Sequence, residues 1–503
     1  MSEVKISISY PTLLSKKGIP LLSQNRQFQW FSNPTYIYPV VPAQAATMLK
    51  ENGFDVIWDD GIAEELSYAD WERRLLENKP DIIVIETKTP VIKMHWDIID
   101  NLKNKFSNIN YNPFVVLVGD HVTALPEESF KKSQVDFILT GGDYDFLLLN
   151  LIKNIKFYKE KNYEVLINNL ECGIYFKLDD KIVSTGKFLL NHNLNIIPFI
   201  DRELTNWKLY SEKNGNFLRT PGTYIMSGRD CWHGKCSFCS WTTLYPDYRT
   251  RSPENVLDEI GLLINKYRIR EIMDDTGTFP VGKWLRTFCN GMIERGYNKR
   301  VSINCNMRFD GCSFDEYILM RDAGFRFILF GLESASDYTL KKINKGITAD
   351  KIIESCKNAK KAGLSPHITI MFGYPWEEKK DIENTLKLGS FLLRKNYAVT
   401  MQATIVIPYP GTPLFYECLE NNLLKTQEWE RFDMKESIMK SEVEEDFIKS
   451  AVQDMYKNAF NLEFIFRRIF GVKKLDDFIF LFRAVNFVFG HIKDFKKDKL
   501  NLK

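Results

Sequence analysis

The sequence predicts an α/β protein built from two successive βα regions, a doubly wound parallel sheet and then a partial (βα)6 barrel, followed by a helical C-terminal region. Two observations predict this. Short β-rich runs alternate with helical stretches between residues 4 and 155, and a second alternation starts at Gly222 after a stretch where the pattern stops. A third is length: 503 residues exceed what one hydrophobic core usually organises. The expected divisions are 1–155, a linker at 156–215, the barrel at 216–420 and the helical region at 421–503.

In the first region the strands are Val4–Ser9, Asp55–Trp58, Asp81–Ile85, Phe114–Val118 and Asp136–Leu139. Helical stretches lie around Ala43–Asn52, Tyr68–Asn78, His95–Phe106 and Phe146–Ile155. Doubly wound sheets take ligands beyond the carboxyl ends of their strands. Those ends carry Thr87 and Thr89, then Gly119, Asp120 and His121, then Gly141 and Gly142. Small and hydroxyl residues at three corresponding ends suit a large flat ligand lying against backbone, whereas any one of them alone is an ordinary turn.

Residues 156–215 break the alternation with one hairpin, Gly173–Lys177 and Lys181–Thr185. The second region then offers strands at Thr223–Ser227, Ile269–Met273, Val301–Cys305, Phe327–Phe330, His367–Phe372 and Thr400–Val406. Its helices are Pro253–Lys266, Lys283–Glu294, Phe314–Asp322, Ala349–Ala362 and Lys380–Arg394. Six strands are fewer than the eight of a closed barrel, and catalytic groups gather at the carboxyl ends of such strands. Past residue 420 an aromatic, basic stretch carries Phe460, Phe464, Phe466, Phe470, Phe478, Phe480 and Phe482. It reads as packed core or a lid, with peripheral membrane contact as the alternative.

Hydrophobic residues make up 44% and charged residues 26%, the balance of a globular enzyme and not of a disordered chain. The 68 basic and 65 acidic side chains leave a net charge of +3, which implies no chain-wide field for nucleic acid. No apolar leader with a cleavage site follows Met1, and the run Phe478–Gly490 is interrupted and too short to span a bilayer. The expected location is the cytoplasm. In that reducing compartment nine cysteines argue against a disulfide framework, and three of them fall within nine residues.

Those three, Cys231, Cys236 and Cys239, follow the first strand of the second region directly. Three thiolates satisfy three irons of a four-iron cluster and leave the fourth open to a ligand. Zinc is the alternative, with His233 as a fourth ligand, because a structural zinc takes four protein groups and no second C-x2-C pair completes the set. Cys305 and Cys312 form only a weak second pair; Cys172, Cys289, Cys356 and Cys418 read as small apolar residues.

The chain to about residue 420 resembles the cobalamin-binding radical S-adenosylmethionine enzymes, which join an N-terminal cobalamin domain of flavodoxin-like fold to a partial βα barrel carrying a [4Fe-4S] cluster. The motifs that carry the resemblance begin with the cysteines, spaced C-x4-C-x2-C where the family has C-x3-C-x2-C. Tyr248-Arg249-Thr-Arg251-Ser-Pro-Glu looks like the entry to the first barrel helix, and its two arginines would offset cluster charge. Asp274 and Asp275 end the second strand where related enzymes hold the amino group of S-adenosylmethionine. Arg308 ends the third, in Asn304-Cys-Asn-Met-Arg308, and resembles the arginine that pairs with the cofactor carboxylate or ribose. Glu333 and Ser334 end the fourth, in Gly331-Leu-Glu-Ser334, similar to the segment that contacts the nucleoside. Phe372-Gly-Tyr-Pro-Trp-Glu377 and Pro408-Tyr-Pro-Gly-Thr-Pro413 resemble the two remaining turns.

The resemblance implies reductive cleavage of S-adenosylmethionine to a 5′-deoxyadenosyl radical, which takes hydrogen from an unactivated carbon. Cobalamin then serves methylation of an organic substrate or, in the alternative, an oxidative cyclisation or rearrangement. It implies an electron donor such as flavodoxin or ferredoxin. The D-x-H-x-x-G signature of the cobalamin mutases is absent, since Asp120-His121 lacks its trailing glycine, so His121 reads as a neutral histidine away from the metal and not as a cobalt ligand. A second class stays open, a cluster-bearing electron-transfer or ligand-sensing protein. A methylthio-transferring enzyme would need another cluster, and no second cysteine triplet is present.

Overall fold

The computed structural model describes residues 4–22, 28–32, 36–215 and 217–459. In its N-terminal part, strands β1 (Lys5–Tyr10), β2 (Asp55–Asp60), β3 (Ile82–Thr87), β4 (Phe114–Gly119) and β5 (Phe137–Leu139) pair in parallel in the order β2-β1-β3-β4-β5. That is the flavodoxin-like order, with its switch point between β1 and β3. Helices cover both faces of such a sheet, so β3, β4 and β5 are apolar runs, and in β1 even the alternating Ser7 and Ser9 are buried. Val115, Val116, Leu117 and Val118 are accordingly all buried, each worth about 1.5–3 kcal/mol.

The hairpin expected within the linker does not stand apart. Its strands, β6 (Ile174–Leu178) and β7 (Lys181–Ser184), extend the same sheet antiparallel, with Phe176 opposite Phe137. An exposed β5 edge would leave backbone groups unpaired, and β6 covers it.

The second sheet is β8 (Gly222–Ile225), β9 (Glu271–Asp274), β10 (Ser302–Met307), β11 (Phe325–Glu333), β12 (Ser365–Phe372) and β13 (Thr400–Ile405), parallel and in sequential order. Two of the connecting helices begin at serine caps: Ser252 accepts from Asn255 N–H, and Ser313 forms a full capping box with Glu316. The sheet stays open, and its β13 edge is covered by the helix Glu445–Ala459. Tyr456 Oη lies 3.3 Å from both the N–H and the carbonyl of Ala403.

Between residues 421 and 444 the expected helix is replaced by irregular chain with one 3₁₀ turn, Trp429–Arg431. This stretch reaches back to the first sheet, where Trp429 donates to Glu128 (3.0 Å) and Lys17 pairs with Asp433 (2.5 Å). The phenylalanine stripe from Phe460 and the run Phe478–Gly490 lie outside the described residues. Among the described residues no helix is long and apolar enough to cross a membrane.

Candidate active site

The cysteines occupy a lobe whose base is a two-stranded ribbon, Gly228–Arg229 against Arg249–Thr250. None of the three is in a disulfide, and each residue is partly exposed. The start of the lobe is tied to the chain after β9. Asp230 carboxylate accepts from Gly277 N–H (2.5 Å), Asp230 carbonyl from Thr278 N–H (3.2 Å), and Thr278 Oγ1 lies 3.0 Å from Cys231 Sγ. A turn from Cys239 N–H to Cys236 O closes the C-x2-C step, and Ser237 N–H bonds Ile343 O, which ties the lobe to the chain after β11.

His233 does not complete a zinc site. Its Nε2 donates to the Asn344 carbonyl (2.6 Å), and among the described residues no three His, Cys, Asp or Glu side chains gather around a single ion. A cluster makes no such demand, since each of its irons takes its own thiolate. Three thiols on one part-exposed lobe therefore fit a cluster better than zinc. Cys305 and Cys312 are buried, and burial pushes both thiols up, as suits apolar core.

Three expected residues, Asp275, Arg308 and Glu333, stand at the strand ends around this lobe, each with defined partners. Arg308 at the end of β10 forks onto Asp310 through Nε and Nη2 (2.9 Å each). Its Nη2 also reaches Lys345 O (2.7 Å), and its guanidinium lies 5.1 Å from the Trp232 ring centre. Glu333, in the left-handed region at φ 62°, accepts from Lys345 Nζ at 2.8 Å. The pair is buried, and Gly331 makes room for it, because a Cβ there would overlap both Glu333 Oε1 and Lys345 Nζ. Burial opposes the Lys345 charge, but Glu333 and the nearby Cys236 hold its pKa above the usual lysine value. Asp275 is buried at the end of β9, its N–H bonded to Ile225 O (2.8 Å).

Two others serve the fold. Asp274 accepts from the Ser227 hydroxyl, from Ser227 N–H (3.1 Å) and from Thr276 N–H (3.0 Å), so both of its oxygens hold backbone. Ser334 donates to Glu377 (3.1 Å), whose other oxygen accepts from Gly373 and Tyr374 N–H. Burial raises the Glu377 pKa to about 7 against those bonds. Arg249 and Arg251, expected to offset cluster charge, are already paired, Arg251 with Glu259 at 2.5 Å and Arg249 with Asp143 at 2.7 Å. A cleft of about 860 Å³ opens beside Cys236 and is lined in part by Lys235, Lys341 and Thr348.

Sequence reading missed Lys345, Asp310 and Thr278. Lys345 stands in a loop, Asn344-Lys-Gly, and nothing local marks it as the partner of Glu333.

At the first sheet the expected residues lie at neighbouring strand ends but contact one another. Thr87 Oγ1 is 2.7 Å from His95 Nδ1, and Thr89 Oγ1 is 3.2 Å from His121 Nδ1. His121 Nε2 meets Glu128 (3.1 Å), while Trp96 and Trp429 present their rings to it edgewise. Burial raises the Asp120 pKa despite Lys88. Gly119, at φ 124°, lets Thr87 O approach its Cα. Gly141 and Gly142 face protein: Phe188 fills the place of one Cβ and the Tyr245 ring that of the other, with Tyr245 Oη donating to Gly142 O (2.9 Å).

Residues 225–389 match the Radical SAM superfamily. Among curated proteins, an uncharacterized methyltransferase of Pyrococcus horikoshii is 29% identical over 80% of this chain and 83% of its own. The anaerobic magnesium-protoporphyrin IX monomethyl ester cyclase of Cereibacter sphaeroides is 26% identical over 80% of this chain, which spans 63% of the cyclase's length. Among solved structures, the cobalamin-dependent S-adenosylmethionine radical enzyme OxsB, with aqua-cobalamin and S-adenosylmethionine bound, superposes with a TM-score of 0.69. It covers 98% of this chain and 72% of its own at 14% identity, a likeness of fold. The chain belongs to the radical S-adenosylmethionine superfamily, whose members use a [4Fe-4S] cluster with S-adenosylmethionine, and it shares the fold of the cobalamin-dependent branch.

Proposed function

We propose that this chain is a cobalamin-dependent radical S-adenosylmethionine enzyme that methylates an unactivated carbon of an organic substrate. The observation that carries the reading is the grouping of Asp275, Arg308 and Glu333 at consecutive strand ends, with Lys345 brought to Glu333 from a loop, around a lobe that carries three cysteines outside any disulfide. When bound, the cluster and S-adenosylmethionine supply one-electron cleavage chemistry and cobalamin supplies methyl transfer.

The protein's part is to bind, orient and exclude water. Cys231, Cys236 and Cys239 hold the cluster. Asp275 faces the ammonium of the methionyl group. Arg308 already commits Nε and Nη2 to Asp310 and Lys345, which leaves Nη1 for the cofactor carboxylate. Glu333 gives one oxygen to Lys345 and offers the other to ribose hydroxyls. Asp274 and Ser334 keep these groups in place by shaping the turns that carry them. In the first sheet the β1/β3 switch point and the ends at Thr87, Thr89, Gly119, Asp120 and His121 form the cobalamin crevice; Gly141 and Gly142 border it through Phe188 and Tyr245. Lys235 and Lys341 line the face through which an acidic electron donor, a flavodoxin or ferredoxin, reaches the cluster.

An oxidative cyclisation is the second reading, favoured by the identity to the protoporphyrin ester cyclase over 80% of the chain. Anaerobic reconstitution followed by iron, cobalamin and 5′-deoxyadenosine measurement tests the proposal. Iron and cobalamin bound with 5′-deoxyadenosine formed on reduction is expected; a fully loaded protein that forms none overturns the enzyme reading in favour of electron transfer or sensing. Methylated against desaturated or cyclised product separates the two reactions.

A further inference from the structure

The ribbon at the base of the cysteine lobe places Arg229 directly opposite Arg249. Like charges facing each other across an antiparallel pair repel, so this base needs anions from elsewhere. They come from the first sheet. Arg229 Nη1 donates to Asp143 and Asp145 (2.9 Å each), and its Nη2 donates to Asp145 (2.6 Å) and to Gln44 (2.8 Å). Arg249 forks onto both oxygens of Asp143 at 2.7 Å. Two backbone-level contacts join them: Gly142 N–H donates to Leu244 O (3.0 Å), and Tyr245 Oη donates to Gly142 O (2.9 Å).

Residues on both sides of the cysteines, 229 before and 244, 245 and 249 after, therefore seat on one four-residue segment, Gly142–Asp145, at the carboxyl end of β5. We infer that Asp143 and Asp145 are positioning residues for the cysteine lobe, so that the end of β5, beside the N-terminal crevice, sets the geometry in which the cluster is held. This rests on the cysteines being the cluster ligands. Arg229, Asp143 and Asp145 are buried and Arg249 is partly so, and for the buried groups neither side keeps its charge comfortably without the other. Groups that orient ligands from behind in this way govern metal retention as the ligands themselves do.

The coupling has a direction that can be read. A ligand settling in the N-terminal crevice bears on the Gly141–Asp145 turn, and the turn bears on the lobe. The test compares the full-length chain with Asp145→Asn, which keeps shape and removes charge. Amide exchange over residues 228–250 is followed with and without added cobalamin, and anaerobic iron release to a chelator is timed after reconstitution. Expected are exchange and iron release faster by about tenfold or more in the variant, unchanged exchange over β9–β13, and cobalamin protection of 228–250 in the wild type only. Exchange and iron release equal to wild type overturn the inference.

Arg249→Gln breaks the neighbouring contact to Asp143 from the lobe side and gives the same reading if Asp145→Asn fails to fold. A wild-type chain that takes up no iron defeats the cluster assignment, while the exchange of 228–250 in the iron-free chain still tests the clamp.

Discussion

The mouth of the barrel and the carboxyl end of the first sheet are the same kind of place, strand ends of a parallel sheet, yet they differ in how their polar groups are engaged. At the barrel mouth Arg308, Glu333 and Lys345 hold charges in pairs that leave donor and acceptor capacity over. At the first sheet the corresponding residues bond one another, Thr87 with His95 and Thr89 with His121, and its glycines receive Phe188 and Tyr245. Strand-end charges are thus preset in the barrel, while at the first sheet the polar groups are turned mostly on one another, with His95 Nε2 left buried and without a partner among the described residues. A small reacting centre needs fixed charges; a large flat ligand needs shape.

The largest effect expected from breaking the comparison is at the cysteines. Replacing any one of Cys231, Cys236 or Cys239 by Ala removes the visible absorbance of the reconstituted cluster, whereas Cys305→Ala leaves it. Survival of the cluster in one of the three variants reassigns that ligand.

Next is Glu333→Gln, which leaves the Lys345 ammonium buried without its anion and costs about 3–5 kcal/mol in denaturant unfolding. The double change Glu333→Gln with Lys345→Met recovers much of that. A loss below 1 kcal/mol for the single variant would mean that water reaches the pair.

At the first sheet, Gly142→Ala drives a methyl into the Tyr245 ring and costs about 1–3 kcal/mol. Tyr245→Leu in the same chain restores stability if Tyr245 is the obstacle. No rescue, joined with lost cobalamin binding, shows instead that this glycine faces the ligand.

The smallest effect is a pH dependence at His192, whose Nδ1 and Nε2 lie 2.9 Å from Asp143 and Glu171, whose carbonyl accepts from Arg249, and whose ring stacks on Phe146. Burial opposes its charging, but the two carboxylates raise its pKa to about 9. A histidine raised in the folded state lends stability in full below its unfolded pKa, about 6.5. That contribution fades as pH rises from there through about 9. Unfolding midpoints should fall over this window in the wild type, and more shallowly in His192→Gln; parallel curves remove His192 from the network.

Much of the fold was legible because its causes are local. Alternation of apolar runs, Ser252 followed by Pro253, and Ser313 with Glu316 act within a few residues, so the barrel strands and helices fall close to where the sequence places them. The hairpin at 174–184 was visible as a hairpin, but its pairing with β5 is a contact between segments some 37 residues apart along the chain and leaves no local mark. The site divides the same way. Cys231, Cys236 and Cys239 lie within nine residues and announce themselves, while Lys345 and the Asp143–Arg229 pair, 86 residues apart in sequence, do not.

By itself, then, the sequence determined two parallel sheets, three cysteines after the first strand of the second, and acidic and basic residues at the strand ends that follow. Only the tertiary structure decided which of those charged residues keep capacity for a ligand and which are consumed by backbone and by one another, as Asp274 and Arg249 are. The physical reason is that a buried charge must find its partner wherever packing places one, and packing brings residues together without regard to their distance along the chain.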